Sequence, residues 1–299
     1  MSFHNNLKFK YLLTCLKKFL TKKSLNCPSC KSNKNLIVDK KYFITSLKRC
    51  ENCMLLYRSP NTTIEENKHF YQEEYTQGFT TDCPNNDELN ELISNNFKNT
   101  EKDYSKIIEI LNILNLKFNT NFSSLFDYGC SWGYGSYQLK KIFNVKSYEI
   151  SVPRAKYARD KLGVNIINES ELDSLKNDDK KFDFFFMSHV LEHVPNPSEI
   201  LDLGLKLVRK GGYIVSFTPN GSMEHKKKNS NWSKLWGMVH PNFIDEKFYE
   251  KFFNNNIYYI GSSKYNLKNI QNFTKNNQNY IDDLSGDELM IIVKKTQDN

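Results

Sequence analysis

The stretch that decides the fold is Leu125-Phe126-Asp127-Tyr128-Gly129-Cys130-Ser131-Trp132-Gly133-Tyr134-Gly135. Apolar residues run into an aspartate, a glycine-rich turn follows, and a segment of helical character comes next. This order places backbone N–H groups at the carboxyl end of a buried strand, where open α/β sheets bind ligands. The spacing disfavours NAD, because a dinucleotide fingerprint needs G-x-G-x-x-G and counting from Gly133 puts Gln138 at the third glycine.

Two segments downstream continue this pattern. Residues 145–151 read as a short strand that ends at Glu149. An acid at this distance from the glycine turn can accept hydrogen bonds from both hydroxyls of a ribose, although a solvated glutamate at a strand end is the alternative. Residues 182–188 (FDFFFMS) are almost continuously apolar, which is typical of a strand buried on both faces. This strand leads directly into His189-Val190-Leu191-Glu192-His193-Val194.

The glycine turn resembles motif I of the class I S-adenosylmethionine (SAM)-dependent methyltransferases, usually D-x-G-C-G-x-G. Ser131 replaces the middle glycine, and the other motif positions match. The strings FDFFFMSHVLEHV and LKLVRKGGYIVSFTPN resemble the fourth and fifth strands of the same family. The resemblance implies an α/β fold with a Rossmann-like, doubly wound, seven-stranded sheet, and SAM as cofactor. The residues it assigns to SAM, with Glu149 on the ribose, are Asp127, Gly129, Cys130, Ser131, Gly133, Glu149, Ser188 and His189.

Four cysteines upstream form two C-x₂-C pairs, Cys27/Cys30 and Cys50/Cys53, with 19 residues between the pairs. This spacing is typical of a zinc site, and a closed set of four thiolates indicates a structural rather than a catalytic ion. Two disulfides or a redox pair are the alternatives. No secretory signal precedes the cysteines, which disfavours disulfides. We therefore predict structural Zn²⁺ bound by these four residues.

The second pair also belongs to a wider resemblance. Residues 49–60 and the string FYQEEY at 70–75 resemble the zinc-ribbon head found before many bacterial class I methyltransferases, with Met54 where that family usually has glycine. Those proteins often modify sugars of surface polysaccharides or related small molecules. The resemblance therefore implies a sugar-like acceptor and a role in polysaccharide biosynthesis.

The charge distribution bears on possible partners. The formal net charge is +8, but residues 1–25 hold six lysines and no acid, which leaves 36 basic and 34 acidic residues elsewhere. A nearly neutral body makes a nucleic-acid partner unexpected. The N-terminal residues repeat apolar positions at helical spacing with a basic opposite face. This helix either packs on the protein itself or, through residues 1–22, touches the inner face of a membrane. We otherwise expect a cytoplasmic protein, and the sequence leaves the oligomeric state open.

Proton removal from a hydroxyl acceptor would require a base, and histidine is the usual choice. Three histidines lie in strand-end loops, where α/β enzymes keep functional residues. His240 is our first choice as base, and His193 and Glu192 complete the predicted catalytic set. His193 has a structural alternative, as a loop imidazole bonded to backbone. Trp232, Trp236 and His225 either line the acceptor pocket or pack in the core.

These observations predict four segments: a basic amphipathic helix (1–23), a zinc ribbon (24–60), a helical linker (61–104) and a SAM-dependent methyltransferase domain (105–299). Residues 263–287, rich in Asn and Lys, are expected to be irregular before the last strand. The leading function is methyl transfer from SAM, by in-line displacement, to a hydroxyl of a sugar or glycan precursor. Two alternatives stay open: an RNA methyltransferase that uses its ribbon to hold RNA, and a SAM-binding protein without catalysis.

Overall fold

The structure is a computed structural model, and it describes residues 2–74, 82–118, 123–178 and 181–297. Met1 of the predicted N-terminal helix and Tyr75 of the FYQEEY string lie outside the described residues. So does part of the predicted helical linker, residues 75–81.

The strands of the described residues form two sheets. In chain order they are β1 (Asn35–Lys41), β2 (Thr45–Cys50), β3 (Leu56–Ser59), β4 (Ser124–Tyr128), β5 (Asn144–Tyr148), β6 (Ile166–Ile167), β7 (Phe182–Ser188), β8 (Val208–Pro219), β9 (Asn242–Phe243), β10 (Ile257–Ser262), β11 (Tyr280–Ile281) and β12 (Glu288–Lys294).

The helices flank these sheets. They are α1 (Ser2–Leu20), α2 (Ile64–His69), α3 (Asn86–Ser94), α4 (Ser105–Asn115), α5 (Tyr134–Leu139), α6 (Val152–Leu162), α7 (Glu169–Leu175), α8 (Pro197–Leu207), α9 (Met223–Lys228), α10 (Glu246–Phe252) and α11 (Leu267–Asn276). A five-residue π-helix (Phe70–Glu74) follows α2, and a 3₁₀ turn (Trp232–Leu235) follows α9.

The larger sheet has the order β6-β5-β4-β7-β8-β12-β10-β11. Strands β4 to β8 are parallel, and β12 runs antiparallel to both of its neighbours. The chain moves outward from β4 through β5 to β6 and then returns to the other side of β4 at β7. This reversal creates a topological switch point between β4 and β7, at which open α/β sheets bind their ligands.

Strand β7 shows why the centre of this sheet is buried on both sides. Phe184 and Phe186 pack on one face together with residues of α4 and α11. Phe185 and Met187 pack on the opposite face against residues of α8 and α10. All four side chains are fully buried, as expected for an apolar run in a parallel strand covered on both faces.

The smaller sheet has the order β1-β2-β3-β9 and joins the cysteine-rich segment to the rest of the chain. Strand β9 comes from the loop after β8, almost 200 residues from β2, and pairs Phe243 with Leu56 of β3. Beside this seam Arg49 and Asp245 form a buried ion pair with an N···O distance of 2.5 Å. The cysteine-rich sheet is therefore continuous with the loop that follows β8.

Helix α1 packs on the protein through one narrow side. Cys15 is buried, the Arg58 guanidinium lies over the Tyr11 ring, and Lys18 bonds the Glu66 carboxylate at 2.5 Å. The apolar side chains of its other side are exposed: Phe9, Leu13, Leu16, Phe19 and Leu20. Among the described residues, no helix combines the length and apolarity needed to cross a bilayer.

The predicted fold class is confirmed, with one correction in strand number and one in the 263–287 segment. The sheet has eight strands, because β11 adds two residues at the edge beyond β10. The segment that we expected to be irregular contains α11 as well as β11. Asn266 caps α11 by accepting a hydrogen bond from the backbone N–H of Asn269, and Ile270 and Phe273 bury one face of the helix.

Candidate functional site

The glycine turn after β4 is bonded to the end of β5. The N–H groups of Gly129 and Cys130 both donate to the carbonyl oxygen of Tyr148, at 2.8 and 3.1 Å. Gly129 has φ +82°, and a Cβ there would lie 2.5 Å from a methyl carbon of Val190. Only glycine therefore lets the turn approach the loop after β7 so closely.

Glu149 ties the turn to the next strand. Its two carboxylate oxygens accept hydrogen bonds from the backbone N–H groups of Ser131 and Ser151, each at 2.8 Å. Burial raises the pKa of Glu149 above its ordinary value, and these two N–H groups oppose that effect. A carboxylate offers about four lone-pair sites, so two remain for the hydroxyls of a ribose.

Ser131, the departure from the family motif, lies in the left-handed region at φ +52°, where glycine is normally preferred. That conformation costs a non-glycine residue about 1–2 kcal/mol. The serine hydroxyl accepts a hydrogen bond from Arg154 Nη1 at 3.0 Å, a contact that glycine could not make. A hydrogen bond to a charged group contributes about 1.5–3 kcal/mol, enough to offset the strain. The serine therefore keeps the geometry of the turn.

A cavity of about 590 Å³ opens at the switch point, beside this turn. Nine residues predicted from the sequence line it: Gly129, Cys130, Ser131, Glu149, Ser188, His189, Glu192, His193 and His240. The sequence therefore identified residues from four separate segments that the fold brings to one place.

Asp127 and Gly133, also predicted to bind the cofactor, lie outside the cavity wall. Asp127 is buried beneath the turn and accepts a hydrogen bond from Ser136 of α5 at 2.5 Å. Burial raises its pKa to about 7, although the Ser136 hydroxyl opposes that effect. A Cβ at Gly133, where φ is +87°, would lie 2.6 Å from Ala158 of α6. Asp127 thus anchors the turn to α5, and Gly133 lets the turn pack closely against α6.

The loop after β7 carries the charged groups of the cavity. Glu192 is 1 % exposed, and one of its oxygens lies 3.2 Å from His189 Nδ1 and 3.7 Å from His193 Nε2. Burial alone would raise the pKa of Glu192, but His193 and His189 lower it to about 2. The other oxygen, Oε2, is buried and has no hydrogen-bond partner among the described residues.

The pKa values of the two histidines of this loop are shifted in opposite directions. Burial lowers the pKa of His193 to about 4, against the attraction of Glu192. Burial would also lower the pKa of His189, but hydrogen bonds with Glu192 and Glu288 raise it to about 10. We predicted His189 as a cofactor contact. It lines the cavity, its backbone N–H donates to the Phe217 carbonyl, and its side chain bridges Glu192 to Glu288 of β12, the latter at 2.7 Å.

His240 approaches the same point from the loop after β8. Its ring centroid lies 4.7 Å from that of His193. The Nδ1 atom of His240 bonds the Leu235 carbonyl at 2.7 Å, and Nδ1 of His193 bonds the Val239 carbonyl at 2.8 Å. Since a carbonyl only accepts, both Nδ1 atoms carry a proton, and in the neutral imidazole the lone pair therefore lies on Nε2.

The four cysteines predicted to bind metal are also brought together. Sγ of Cys27 lies 3.4 Å from that of Cys53, Sγ of Cys30 lies 3.4 Å from that of Cys50, and none forms a disulfide. Each pair forms the same turn, in which the N–H four residues on, of Lys31 or Met54, donates to the first cysteine carbonyl. Tetrahedral Zn²⁺ with bonds of about 2.3 Å separates its sulfurs by about 3.8 Å, so the cluster fits zinc with little movement.

Three residues left open by the sequence pack in the interior. Trp232 and Trp236 are buried with Leu47, Leu56 and Phe243 where the cysteine-rich sheet meets the loop after β8. The side chain of His225 is buried and bonds the Ser285 carbonyl at 3.0 Å. None of the three lines the cavity.

Two residues that position the cavity were missed from the sequence. Arg154 is buried at the start of α6 and holds Ser131, and Glu288 begins β12 and holds His189. A basic residue just inside a helix carries little sequence signal. Glu288 is separated from His189 by 99 positions, so only the sheet topology brings them together.

Comparison with known proteins agrees with this geometry. A family model described as "Methyltransferase domain" matches residues 92–256. An uncharacterized protein of Methanocaldococcus jannaschii, MJ1123, is 34% identical over 115 residues, which are 36% of this chain and 54% of that protein. This chain thus spans about half the length of that relative.

Two plantazolicin methyltransferases are among the solved structures that are similar to this chain. The plantazolicin methyltransferase BamL, in complex with a triazolic desmethylPZN analog and SAH, has a TM-score of 0.50 at 16% identity. The match covers 77% of this chain and 96% of BamL. The plantazolicin methyltransferase BpumL in complex with SAH gives 0.49 at 15% identity, over 78% of this chain and 96% of that one.

The sheet order and the cavity at the switch point define the fold of a SAM-dependent methyltransferase. Because the family model covers more than half of its residues, the chain belongs to the methyltransferase-domain family. The cavity fits SAM: its volume lies within the range of small-molecule sites, and free carboxylate lone pairs of Glu149 lie beside the glycine turn.

Proposed function

We propose that this protein transfers the methyl group of SAM to a hydroxyl of a small, sugar-like acceptor, with His240 as the general base. When bound, SAM supplies a methyl group activated on a sulfonium sulfur. The chain then has to hold the acceptor hydroxyl in line with that methyl and to take its proton. The observation that carries the proposal is the Nε2 lone pair of His240, beside the turn and Glu149 in one cavity.

The surroundings of His240 support this role. The Leu235 carbonyl fixes its tautomer, and the turn in which Gly237 N–H donates to the His240 carbonyl at 3.0 Å fixes its backbone. A carboxylate oxygen of the buried Glu192 lies within 4.8 Å of a ring nitrogen of His240 and would stabilise the imidazolium formed after proton transfer. His193 and Glu192, the other two residues of the predicted catalytic set, line the same cavity as His240.

The acceptor class is supported by a smaller cavity of about 180 Å³ next to the first. The two cavities share four residues: Asn67, Tyr71, His193 and Val239. The smaller one lies between α1, α2 and the loop after β8, and its walls combine aromatic rings with hydroxyl and amide groups. A sugar presents C–H faces to rings and hydroxyls to such polar groups. We therefore place the acceptor here, with its reacting hydroxyl at His240.

We further propose that the four cysteines hold structural Zn²⁺. The ion would stabilise the sheet β1-β2-β3-β9, and through β9 the loop that carries His240. The contacts that link this sheet to the loop include the pairing of β3 with β9, the hydrogen bond from the Arg58 N–H to the Pro241 carbonyl at 2.7 Å, and the ion pair of Arg49 with Asp245.

The test of the base is His240→Gln, assayed for SAH release from SAM with a panel of nucleotide sugars and glycans. General bases contribute about 10²–10⁴ in rate, so turnover should fall at least about 100-fold. SAH affinity, measured by calorimetry, should change less than about twofold. Turnover equal to that of the wild type would remove His240 from this role. Methylation of RNA or peptide, with no sugar in the panel accepted, would overturn the acceptor class.

A second role is supported by the exposed apolar side of α1. Phe9, Leu13, Leu16 and Phe19 face solvent, and lysines flank them. We propose that this side binds the surface of an anionic membrane at its cytoplasmic face, since apolar area and basic charge both favour that surface. Sedimentation with anionic vesicles should be lost in the Phe9→Ser/Phe19→Ser variant. Equal sedimentation of variant and wild type would rule this contact out.

A further inference from the structure

We infer that Glu192, His193 and His240 form a second metal site, which binds a divalent transition-metal cation inside the SAM cavity. The observation is geometric. One ligand atom from each residue lies within 4.8 Å of the other two, in the described part of the chain. Two imidazoles and one carboxylate are a donor set that Zn²⁺, Fe²⁺, Mn²⁺ and Co²⁺ use when other positions stay open for substrate.

The hydrogen bonds around the two histidines are those of metal ligands. A ligating histidine nearly always donates its second ring N–H to a carbonyl or carboxylate, which orients the ring and fixes the tautomer. His193 does so toward Val239 O, and His240 does so toward Leu235 O. Both Nε2 lone pairs are therefore preset for a cation before it arrives.

Glu192 provides an independent observation. Its carboxylate is 1 % exposed, and its Oε2 atom has no hydrogen-bond partner among the residues that the structure describes. A buried carboxylate oxygen without a partner costs several kcal/mol, unless a ligand satisfies it.

The backbone around the trio is held from several sides. Asn242 of β9 donates through Nδ2 to Val194 O at 2.6 Å, and Asn67 donates to His193 O at 2.8 Å. Metal bonds of about 2.1 Å in a tetrahedron need ligand atoms about 3.4 Å apart. Side-chain shifts of about 1 Å would close the trio, and these anchors would keep the loops in place.

The role of the site rests on the proposed function and deepens it. An acceptor hydroxyl oxygen would bind the cation at an open position. Its O–H bond would break, the oxygen would stay on the cation, and the proton would pass to solvent water. The cation would then replace His240 as the group that activates the hydroxyl, and His240 would act as the general base only in the metal-free protein. The acceptors favoured are those with two adjacent oxygens that can chelate one cation, such as vicinal diols.

The experiment is a Co²⁺ titration of the full chain followed by absorption spectroscopy. Cobalt in the cysteine cluster gives sulfur-to-metal charge-transfer bands, whereas cobalt bound by nitrogen and oxygen does not. We expect one cobalt per chain with those bands and a second without them. Glu192→Gln and His240→Asn should each weaken the second binding at least about tenfold. His69→Ala, an exposed histidine outside the trio, should bind both cobalt ions as the wild type does.

Folding of the variants is checked by SAH calorimetry. If both trio variants fail to fold, Mn²⁺ broadening of the His193 and His240 ring signals in the wild-type NMR spectrum decides the matter. Unchanged ring signals, or equal second binding in wild type and variants, would overturn the inference. Methylation by protein without a second cobalt site would leave the proposed function standing alone. A second cobalt site without methylation of any acceptor would support the inference and defeat the proposed function.

Discussion

Gly129→Ala tests whether the glycine turn and the loop after β7 fit as closely as the structure shows. The new Cβ would have to adopt φ +82° and would lie 2.5 Å from Cγ2 of Val190. The left-handed conformation costs alanine about 1–2 kcal/mol, and an overpacked contact of this kind costs about 1–3 kcal/mol. We therefore expect the free energy of unfolding to fall by about 2–5 kcal/mol.

A second substitution separates these two causes. Val190→Ala alone should cost about 1.5 kcal/mol, because two buried methyl groups are lost. In the double variant the contact disappears and only the backbone strain remains. The double variant should therefore be more stable than the sum of the single changes predicts, by about 1–3 kcal/mol. The coupling has this sign only if the two residues really touch.

Guanidinium unfolding, followed by the fluorescence of the buried Trp132, Trp232 and Trp236, measures these free energies. SAH calorimetry should show weaker binding in Gly129→Ala and partial recovery in the double variant, since Val190 leads into the loop that carries Glu192. Strict additivity within about 0.5 kcal/mol would refute the close approach and, with it, our description of the cavity wall.

Two further changes test other parts of the structure. Cys50→Ser should remove the zinc of the cysteine cluster and lower Tm by several degrees, because the sheet that anchors Arg49 against Asp245 would loosen. Metal analysis measures the zinc content and calorimetry measures Tm, with the exposed Cys83→Ser as the control. Equal zinc content in the two variants would contradict the cluster. Asp127→Asn should flatten the pH dependence of stability. The pKa of Asp127 is about 7 when folded and about 4 when unfolded, so the folded state binds the extra proton and stability falls as pH rises from 4 to 7, by up to about 4 kcal/mol. Unfolding curves at pH 5 and pH 8 should differ less in the variant than in the wild type, and an equal difference would mean that this carboxyl does not titrate as described.

The parts of the fold that the sequence predicted well are those in which one short segment determines the outcome. The strand FDFFFMS has no polar face, so it can only lie in the middle of a covered sheet, and β7 does. The turn at Gly129 needs a residue that tolerates positive φ and close contact, and both requirements are visible in the motif. The two C-x₂-C pairs likewise carry their ligand geometry within four residues each.

The parts that the sequence did not predict depend on several weak signals. Strand β11 is two residues long and pairs through Tyr280 and Ile281, so no periodicity could reveal it. The start of α11 was marked only by Asn266 as a cap, a residue that is common throughout an Asn-rich segment. In such a segment the cap is one asparagine among many, and burial of Ile270 and Phe273 determines the helix.

In the candidate site, too, single residues could be predicted from the sequence, whereas contacts between distant residues could not. Glu149, His189, Glu192, His193 and His240 could be recognised in the sequence from their residue types at strand ends, but the network that holds them depends on contacts between distant parts of the chain. Glu288 raises the pKa of His189 from 99 positions away, and the Val239 and Leu235 carbonyls set the tautomers of His193 and His240. A histidine in a sequence is equally a base, a ligand or a structural donor. The hydrogen-bond partner at Nδ1 decides among these roles, and for His193 and His240 both partners are carbonyls. The Nε2 atoms, which lie beside the buried carboxylate of Glu192, are therefore the groups of the cavity that are available for chemistry.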